Sequence, residues 1–215
     1  MAAKEMKNCT VVAGAPNDCS AFLRSHINRD SYIIAADSGY TYLLQAGIMP
    51  DLIIADFDSS DKPELDCEII TFPVEKDYTD TFNCVRYAVE HGFTSIDIYN
   101  ALGNRFDHSF ANVLCLSYCK RHSVFCRLID EHNRLTLIDR EYTFKKEYQH
   151  FSLFAFLEDC CGVRISGARY SAGWYGVDSL TMPRDDQSAL CNYVEDEECS
   201  VTVEQGTLLL VESND

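Results

Sequence analysis

Two aspartates, Asp56 and Asp58, follow the short apolar run of residues 52–55 and are separated by a single residue. On an extended backbone such side chains share a face, so the two carboxylates would form one cluster of hard oxygen ligands while Phe57 turns away. Mg²⁺ prefers a few carboxylates together with water and phosphate oxygens. The pair therefore predicts a divalent-cation site for a phosphorylated ligand, although an isolated pair is also typical of a polar loop after a buried strand.

Similar polar groups follow three other apolar runs in the first half of the chain. They are Asp37 after residues 31–36; Lys76, Asp77, Thr79 and Asp80 after residues 67–72; and Arg105, Asp107 and His108 after residues 95–99. Ligands of open α/β sheets bind beyond the carboxyl ends of the strands, so we expect these side chains on one rim. Crowded carboxylates repel one another unless a cation lies among them. The rim is therefore the predicted binding site.

Phosphate contacts are predicted from the cations and the helix start in this set. Arg105 offers a planar fork for phosphate oxygens, and Lys76 offers a mobile point charge. Thr79 and Asp80 stand where a helix begins, so they either bind an anion through backbone N–H groups or simply cap the helix. The sequence contains neither a Walker A motif nor GxGxxG. A nucleotide here must therefore be held by a metal ion and these loops.

The elements that position these residues alternate between strand and helix over the first 129 residues. Strands are predicted at residues 9–13, 31–36, 52–55, 67–72, 95–99 and 124–129. Helices are predicted up to residue 26 with Asn17 or Asp18 as the cap, at residues 40–46 and 79–91, and from Phe110 to about residue 121. Because the strands are short and apolar, this alternation predicts a doubly wound, mostly parallel sheet.

The pattern changes after residue 133, where short strand-like runs are separated by turn residues and no helical period remains. The runs are residues 135–138, 142–144, 151–157, 163–165, 201–203 and 207–211. They predict a smaller all-β domain, either a β-sandwich or a flattened barrel, and we take the sandwich as the expected fold. We therefore expect an α/β domain at residues 1–133 and a β-sandwich at residues 134–215, with the join between residues 130 and 140.

Composition excludes several classes of partner. The 215 residues carry 18 Lys and Arg against 34 Asp and Glu, a net charge of −16, which disfavours nucleic acid and anionic membranes as partners. The 11 cysteines are scattered without CxxC pairs, so we expect small buried hydrophobes and no metal centre of cysteines. No signal peptide or membrane span is predicted. These features together predict a cytoplasmic protein.

Four motifs of the first half form an ordered series. They are Ala36-Asp37-Ser38-Gly39; Pro50-Asp51 followed by Asp56-Phe57-Asp58-Ser59; Lys76-Asp77-Tyr78-Thr79-Asp80; and residues 101–108 (ALGNRFDH) with Ala111-Asn112. The series resembles the thiamin pyrophosphokinase family and is far more specific than any one member. In the second half, residues 167–170 (GARY) are similar to the family's Gly-Leu-Lys-aromatic segment, and Cys191-Asn192 stands where the family has Ser-Asn. Ser38 replaces a usual Gly.

The resemblance implies an activity. The family transfers the pyrophosphoryl group of ATP to the thiamin hydroxyl, giving thiamin diphosphate and AMP, and requires Mg²⁺. It is a homodimer whose thiamin site lies between the first domain of one subunit and the second domain of the other. The first domain is thus expected to be the ATP- and Mg²⁺-binding catalytic domain, and the second to contribute to thiamin binding and dimerisation.

The residue roles follow from the resemblance together with the chemistry above. Asp56, Asp58 and Asp80 are expected to bind Mg²⁺ and the ATP phosphates as catalytic residues. Lys76 and Arg105 are expected to neutralise phosphate charge, and Asp107 belongs to the catalytic set without a defined role. Binding residues are expected to include Asp37, Thr79, Asn112 and Asn192. Tyr170 is the candidate for stacking on thiamin, with Trp174 as its competitor.

Two other functions fit part of the sequence. Residues 53–58 (IIADFD) also resemble the haloacid dehalogenase phosphatases, in which Asp56 would be the nucleophile and Asp58 the acid. That family expects Thr or Val where Ser60 stands and usually places the motif on the first strand. A non-catalytic module that binds thiamin or a metal ion is the second alternative. Neither explains residues 76–80 together with residues 105–107.

Overall fold

The computed structural model describes residues 6–57, 62–71 and 77–215. The chain forms two compact units, Met1–Glu131 and His132–Asp215. This division falls inside the interval of residues 130–140 in which the sequence places the join. No helix of the described residues is long and apolar enough to cross a membrane.

The described part of the first unit contains six strands in one parallel sheet. The strands are β1 (Asn8–Val12), β2 (Tyr32–Ala36), β3 (Leu52–Ala55), β4 (Glu68–Thr71), β5 (Ser95–Tyr99) and β6 (Phe125–Ile129). Their order is β4-β3-β2-β1-β5-β6, and every neighbouring pair is parallel. The central strands β1, β2 and β3 are almost wholly buried, as expected for a sheet covered on both faces. The prediction of a mostly parallel sheet is confirmed.

Four helices cover the two faces of this sheet in the described residues. They are α1 (Ser20–His26), α2 (Gly39–Gln45), α3 (Asp80–Glu90) and α4 (Phe106–Arg121). Leu23 of α1 and Leu43 of α2 join one buried cluster with Val12, Ala35 and Ile53. Helix α3 is amphipathic and packs along β1, β2 and β3, while α4 packs on β6. The arrangement is doubly wound, as the sequence predicts.

The cap expected for α1 is wrong. The helix begins after Cys19, which makes no side-chain capping bond. The Asn17 amide instead donates to the carbonyl of Leu102, 2.8 Å away. The long-range bond removes Asn17 from the local role that its residue type favours.

The second unit is all-β apart from one 3-10 turn, Ala172–Tyr175, in its described residues. Strands β7 (Asn133–Ile138), β13 (Leu208–Ser213) and β9 (His150–Ala155) pair antiparallel, and so do β11 (Leu180–Met182), β10 (Cys160–Ser166), β12 (Glu198–Thr202) and β8 (Glu141–Lys145). Phe151, Leu153 and Leu210 share a core with Val163 and Val201. Two antiparallel layers therefore bury one common core, as predicted.

Candidate functional site

A cleft of about 430 Å³ opens at the carboxyl ends of the first unit's strands. The strand order reverses direction between β1 and β5, because β2 lies on the other side of β1. Such a switch point leaves a crevice between the loops that follow the two strands, where open α/β sheets bind ligands. The lining residues come from the ends of β1, β2 and β5 and the starts of α3 and α4: Ala13, Gly14, Ala15, Pro16, Ala36, Asp37, Thr79, Asp80, Thr81, Asn100, Ala101, Gly103, Asn104, Arg105, His108, Ser109 and Asn112.

Five predicted site residues therefore meet at this cleft. Asp37 comes from the end of β2, Thr79 and Asp80 from the start of α3, Arg105 from the residue before α4, and Asn112 from inside α4. They are separated by as many as 75 positions in the sequence, and parallel strands bring them to one rim. The structure thus brings these five residues to one cleft, whereas the described residues Asp56, Asp77 and Asp107 do not line it.

Two glycines pack closely at the cleft, and the backbone requires glycine at one of them. A Cβ atom on Gly39 would lie 2.1 Å from the carbonyl oxygen of Val12, and one on Gly14 would lie 2.3 Å from the Ser38 hydroxyl oxygen. A side chain cannot lie this close to a backbone carbonyl, so only glycine at position 39 lets the loop after β1 lie against the start of α2. At position 14 the close atom belongs to the Ser38 side chain, which could rotate away.

The start of α3 forms one side of the cleft. The Thr79 hydroxyl accepts a hydrogen bond from the Phe82 N–H at 3.2 Å, which makes Thr79 the N-cap of α3. The first N–H groups of a helix have no acceptor within the helix, and the helix dipole favours a negative ligand at this end. Both Thr79 and Asp80 line the cleft. Capping and anion binding are therefore compatible roles of the same segment.

Arg105 brings a cation to the cleft and is held by Asp107. Its Nη2 lies 2.6 Å from Asp107 Oδ2, and its Nε donates to Oδ1 at 3.2 Å. This hydrogen bonding lowers the pKa of the Asp107 carboxyl and raises the pKa of the Arg105 guanidinium. Both side chains are exposed, so solvent screens the pair. Asp107 therefore contacts Arg105 and is not itself among the cleft residues.

The backbone turns sharply where three of the strands end. Asp37, Phe57 and Asn100 have φ angles of 50°, 53° and 52°, in the left-handed region. Asp and Asn tolerate this region, whereas for a residue such as Phe57 it costs about 1–2 kcal/mol. The chain is therefore not extended at Phe57, so the extended backbone assumed for the residue between Asp56 and Asp58 is not observed there, and Asp58 itself lies outside the described residues. Phe57 packs against the buried cluster beside α1 and α2.

The predicted metal ligands are only partly described. Asp58 and Lys76 lie outside the described residues. Asp56 directly follows β3 and is half-buried, but it does not line the cleft as the described residues define it. Within residues 6–57, 62–71 and 77–215, no group of three or more His, Cys, Asp or Glu side chains is arranged to hold a metal ion. The set of Asp56, Asp58 and Asp80 therefore stays a prediction.

Comparison with known proteins identifies the family. Residues 23–128, which run from α1 to β6, match the model of the thiamin pyrophosphokinase catalytic domain. The chain belongs to the thiamin pyrophosphokinase family. The matched range includes all five predicted residues that line the cleft, namely Asp37, Thr79, Asp80, Arg105 and Asn112. The family resemblance predicted from the motifs is confirmed, and it excludes the haloacid dehalogenase assignment.

Individual thiamin pyrophosphokinases resemble the whole chain. The thiamine pyrophosphokinase of Bacillus subtilis (strain 168) is 29% identical over 174 residues, which cover 77% of this chain and 81% of that protein. A crystal structure of the Bacillus subtilis enzyme has a TM-score of 0.85 at 24% identity and covers 97% of this chain and 100% of that chain. The corresponding structure from Geobacillus thermodenitrificans gives 0.80 at 26% identity, with coverages of 97% and 98%. The shared fold thus extends over both units.

The second-unit residues predicted for this family form a local cluster of their own. Asn192 is 2% exposed, and its Oδ1 accepts from the N–H groups of Tyr170 (3.0 Å) and Tyr193 (2.9 Å). Its Nδ2 donates to the Tyr170 carbonyl at 2.7 Å. The Tyr170 ring lies edge-on to Trp174, which is 66% exposed, at a centroid distance of 5.2 Å. Asn192 therefore fixes the backbone that presents Tyr170.

Sequence reasoning missed Asn100 as a residue of the thiamin pyrophosphokinase cleft. Asn100 directly follows β5, is 3% exposed and donates through Nδ2 to the carbonyls of Ala13 (3.0 Å) and Ala15 (2.8 Å). An asparagine at the end of a strand is a known signal for a left-handed turn. That signal indicates the turn but not the partner loop, which lies 85 residues earlier in the chain.

Proposed function

We propose that this chain is a thiamin pyrophosphokinase, which transfers the pyrophosphoryl group of ATP to the hydroxyl of thiamin and releases AMP. One observation carries the proposal: in a chain of this family, the cleft at the switch point joins acidic residues to the N-terminus of α3 and to the cation Arg105. Acid alone would repel ATP, and cations alone would not hold its metal complex. The combination suits a nucleoside triphosphate bound with a divalent cation.

The reaction is a displacement at phosphorus. The thiamin hydroxyl oxygen bonds to the β-phosphorus of ATP, the bond from that phosphorus to the oxygen that bridges the α- and β-phosphates breaks, and AMP leaves with the bridging oxygen while the hydroxyl proton is lost. Such a transfer depends on positioning and charge stabilisation more than on a strong base. Arg105 and the N–H groups at the start of α3 neutralise phosphate charge, and the walls of the cleft orient the nucleotide.

The donor set fits Mg²⁺. Asp37 and Asp80 present carboxylates to the cleft, and Asp56 stands at the end of the neighbouring strand β3. Carboxylate oxygens are the protein ligands that Mg²⁺ prefers alongside phosphate and water. We propose Asp56, Asp58 and Asp80 as its ligands, and Lys76 as a further phosphate contact. When bound, Mg²⁺ supplies positive charge to the phosphates during transfer.

The second unit is proposed to contribute to thiamin recognition. Tyr170 is the candidate for stacking on the cationic or pyrimidine part of thiamin, and Trp174 beside it is the competing choice. Asn192 serves by holding the Tyr170 backbone in place. We further propose that the protein works as a homodimer in the cytoplasm, where its 11 cysteines would remain thiols.

The decisive test measures AMP formation from ATP with Mg²⁺, with and without thiamin, for two variants of α3. Asp80→Asn removes a cleft carboxylate at the start of the helix, and Glu90→Gln removes an exposed carboxylate at its end. We expect thiamin-dependent AMP in the wild type, a loss of about 100-fold or more in kcat/KM for Asp80→Asn, and a change within about twofold for Glu90→Gln.

Other products would contradict this function. Release of ADP or inorganic phosphate, or AMP formation that does not depend on thiamin, would reject pyrophosphoryl transfer to thiamin. Thiamin binding without any AMP would support the non-catalytic module. If the Asp80→Asn variant were as active as the Glu90→Gln variant, the proposed role of Asp80 in catalysis would be rejected.

A further inference from the structure

Two asparagines tie together the opposite walls of the cleft at the switch point. One wall is the loop of residues 13–17 after β1, and the other is the loop of residues 100–105 after β5. Asn100 donates from the second wall to the carbonyls of Ala13 and Ala15, and Asn17 donates from the first wall to the Leu102 carbonyl. The backbone adds Ala15 N–H to Asn100 O at 3.2 Å. The bonds therefore cross the crevice in both directions.

These bonds lie beyond the ends of β1 and β5, where the hydrogen bonds of the sheet no longer hold the two walls together. The chain leaves β1 toward β2 on one side and leaves β5 toward β6 on the other, so the two loops diverge after their last strand contact. That last contact is the Ala13 N–H donating to the Tyr99 carbonyl at 2.9 Å. Beyond it, the spacing of the walls depends on the bond from the Ala15 N–H to the Asn100 carbonyl, on the two side-chain amides and on the close approach of Gly103 to Ala15.

The conformation of Asn100 is specific to this role. Its φ of 52° lies in the left-handed region that glycine adopts most readily. With this backbone, its buried Nδ2 donates to both carbonyls of the opposite loop. A glycine at this position would keep the turn but leave the two carbonyls without this donor. Asn17 differs in one useful respect, because it does not line the cleft.

We propose that Asn100 and Asn17 are positioning residues that set the width of the nucleotide cleft before ATP binds. The inference rests on the proposed function, since it takes the occupant of the cleft to be ATP. Walls that are held in place before binding reduce the ordering cost of the complex, so loss of either amide weakens ATP binding. Both asparagines bond to the carbonyls of Ala13, Ala15 and Leu102 and not to the start of α3, so we expect thiamin binding and the transfer step to keep their wild-type constants.

The test compares substitutions with matched backbone effects. Asn100→Gly keeps the left-handed turn and removes the amide, while Ser123→Gly makes the same kind of change at a left-handed residue (φ 56°) in the α4–β6 turn. Asn17→Ala removes the second tie from outside the cleft. For Asn100→Gly and Asn17→Ala we expect KM for ATP to rise about 5- to 10-fold, with KM for thiamin and kcat within about twofold. Ser123→Gly should leave all three constants unchanged.

Calorimetric measurement of AMP and ATP binding distinguishes a failure of the proposed function from a failure of the positioning role. If the wild type binds neither nucleotide, the proposed function itself fails. If the wild type binds but Asn100→Gly and Asn17→Ala bind as tightly as Ser123→Gly, the positioning role is rejected while the function stands. The positioning role would also be rejected if the variants bound ATP and thiamin equally more weakly and also melted at a lower temperature. General destabilisation would then account for the effect.

Discussion

Single residues of one motif serve different purposes in this protein. Asp51 belongs to the motif series, yet it lies at the amino end of β3, and its Oδ2 accepts a hydrogen bond from the Ile33 N–H at 2.7 Å. It completes the edge of the β2–β3 ladder and is remote from the cleft rim at the other end of the strands. Asp37 and Asp80 stand at that rim instead. Motif membership therefore does not distinguish a chemical role from a structural one.

Buried thiols are a second residue-scale feature, and they govern stability at high pH. Burial raises the pKa of Cys115 in α4 and of Cys199 in β12 to about 12. In the unfolded chain a thiol ionises near pH 8.5. Between these values the unfolded state has lost the proton that the folded state keeps. The unfolding free energy must therefore fall as pH rises from about 8.5 toward 12.

We expect Cys115→Ala to reduce this alkaline loss. Between pH 7 and pH 10 one such thiol removes about 2 kcal/mol from the unfolding free energy, so the variant should lose about 2 kcal/mol less than the wild type over that interval. The cavity left by the substitution lowers stability equally at both pH values. Urea unfolding at pH 7, 8, 9 and 10 measures the slope. Replacement of the exposed Cys191 by alanine is the control for the loss of a thiol that is not buried.

At the scale of elements, an ion pair links the strands β7 and β13. Arg134 and Glu212 stand directly opposite each other, and Nε and Nη2 of the arginine lie 2.6 Å from the two carboxylate oxygens. Glu212 is 2% exposed. A buried charge left without its partner is costly, so this pair favours the observed pairing of the two strands over a shifted register.

We expect Glu212→Gln to lower the unfolding free energy by about 3 kcal/mol, because it removes the buried carboxylate that pairs with Arg134 and leaves the guanidinium only its exposed partner Glu147. The double variant Arg134→Met with Glu212→Leu should cost less than the single one. Glu204→Gln, which breaks the exposed pair with Arg164, should cost less than about 1 kcal/mol. Urea unfolding of the four proteins provides the comparison. Equal losses in the Glu212→Gln and Glu204→Gln variants would show that burial adds nothing to the pair.

At the scale of the whole molecule, the net charge of −16 opposes both compactness and the approach of ATP. At the cleft, the positive charge of Arg105 and the N-terminus of α3 offset this repulsion locally. The remaining acidic surface repels itself, and ions in solution screen that repulsion over about 10 Å at 0.1 M salt.

Added salt should therefore stabilise the protein. Raising NaCl from 20 to 150 mM at constant pH should raise the melting temperature by about 2–4 °C, as expected for about 1 kcal/mol in a chain of this length. KCl at equal ionic strength should give the same rise, since screening does not depend on the identity of the cation. A lower melting temperature in salt would mean that attractive pairs, such as Arg127 with Asp97, outweigh the repulsion.

The sequence by itself determined the elements whose signals are local. The strand at residues 95–99 has the predicted bounds, and the helix capped by Thr79 begins where its side chain and the following amphipathic pattern place it. Hydrophobic periodicity and capping act over a few residues, so they can be interpreted without knowledge of the fold. The three-residue strand Leu180–Met182 was missed because so short a segment carries no usable period.

Tertiary structure alone decided which of these elements are neighbours and what their loops build. The reversal of strand order between β1 and β5 creates the cleft, and bonds between residues about 85 positions apart join its walls. The sequence predicts Asn17 as a helix cap and Phe57 as extended, because conformational propensities reflect only a residue's type and its neighbours along the chain. The bond from Asn17 to Leu102 and the left-handed turn at Phe57 depend on the packing of distant segments, whose arrangement local patterns do not encode.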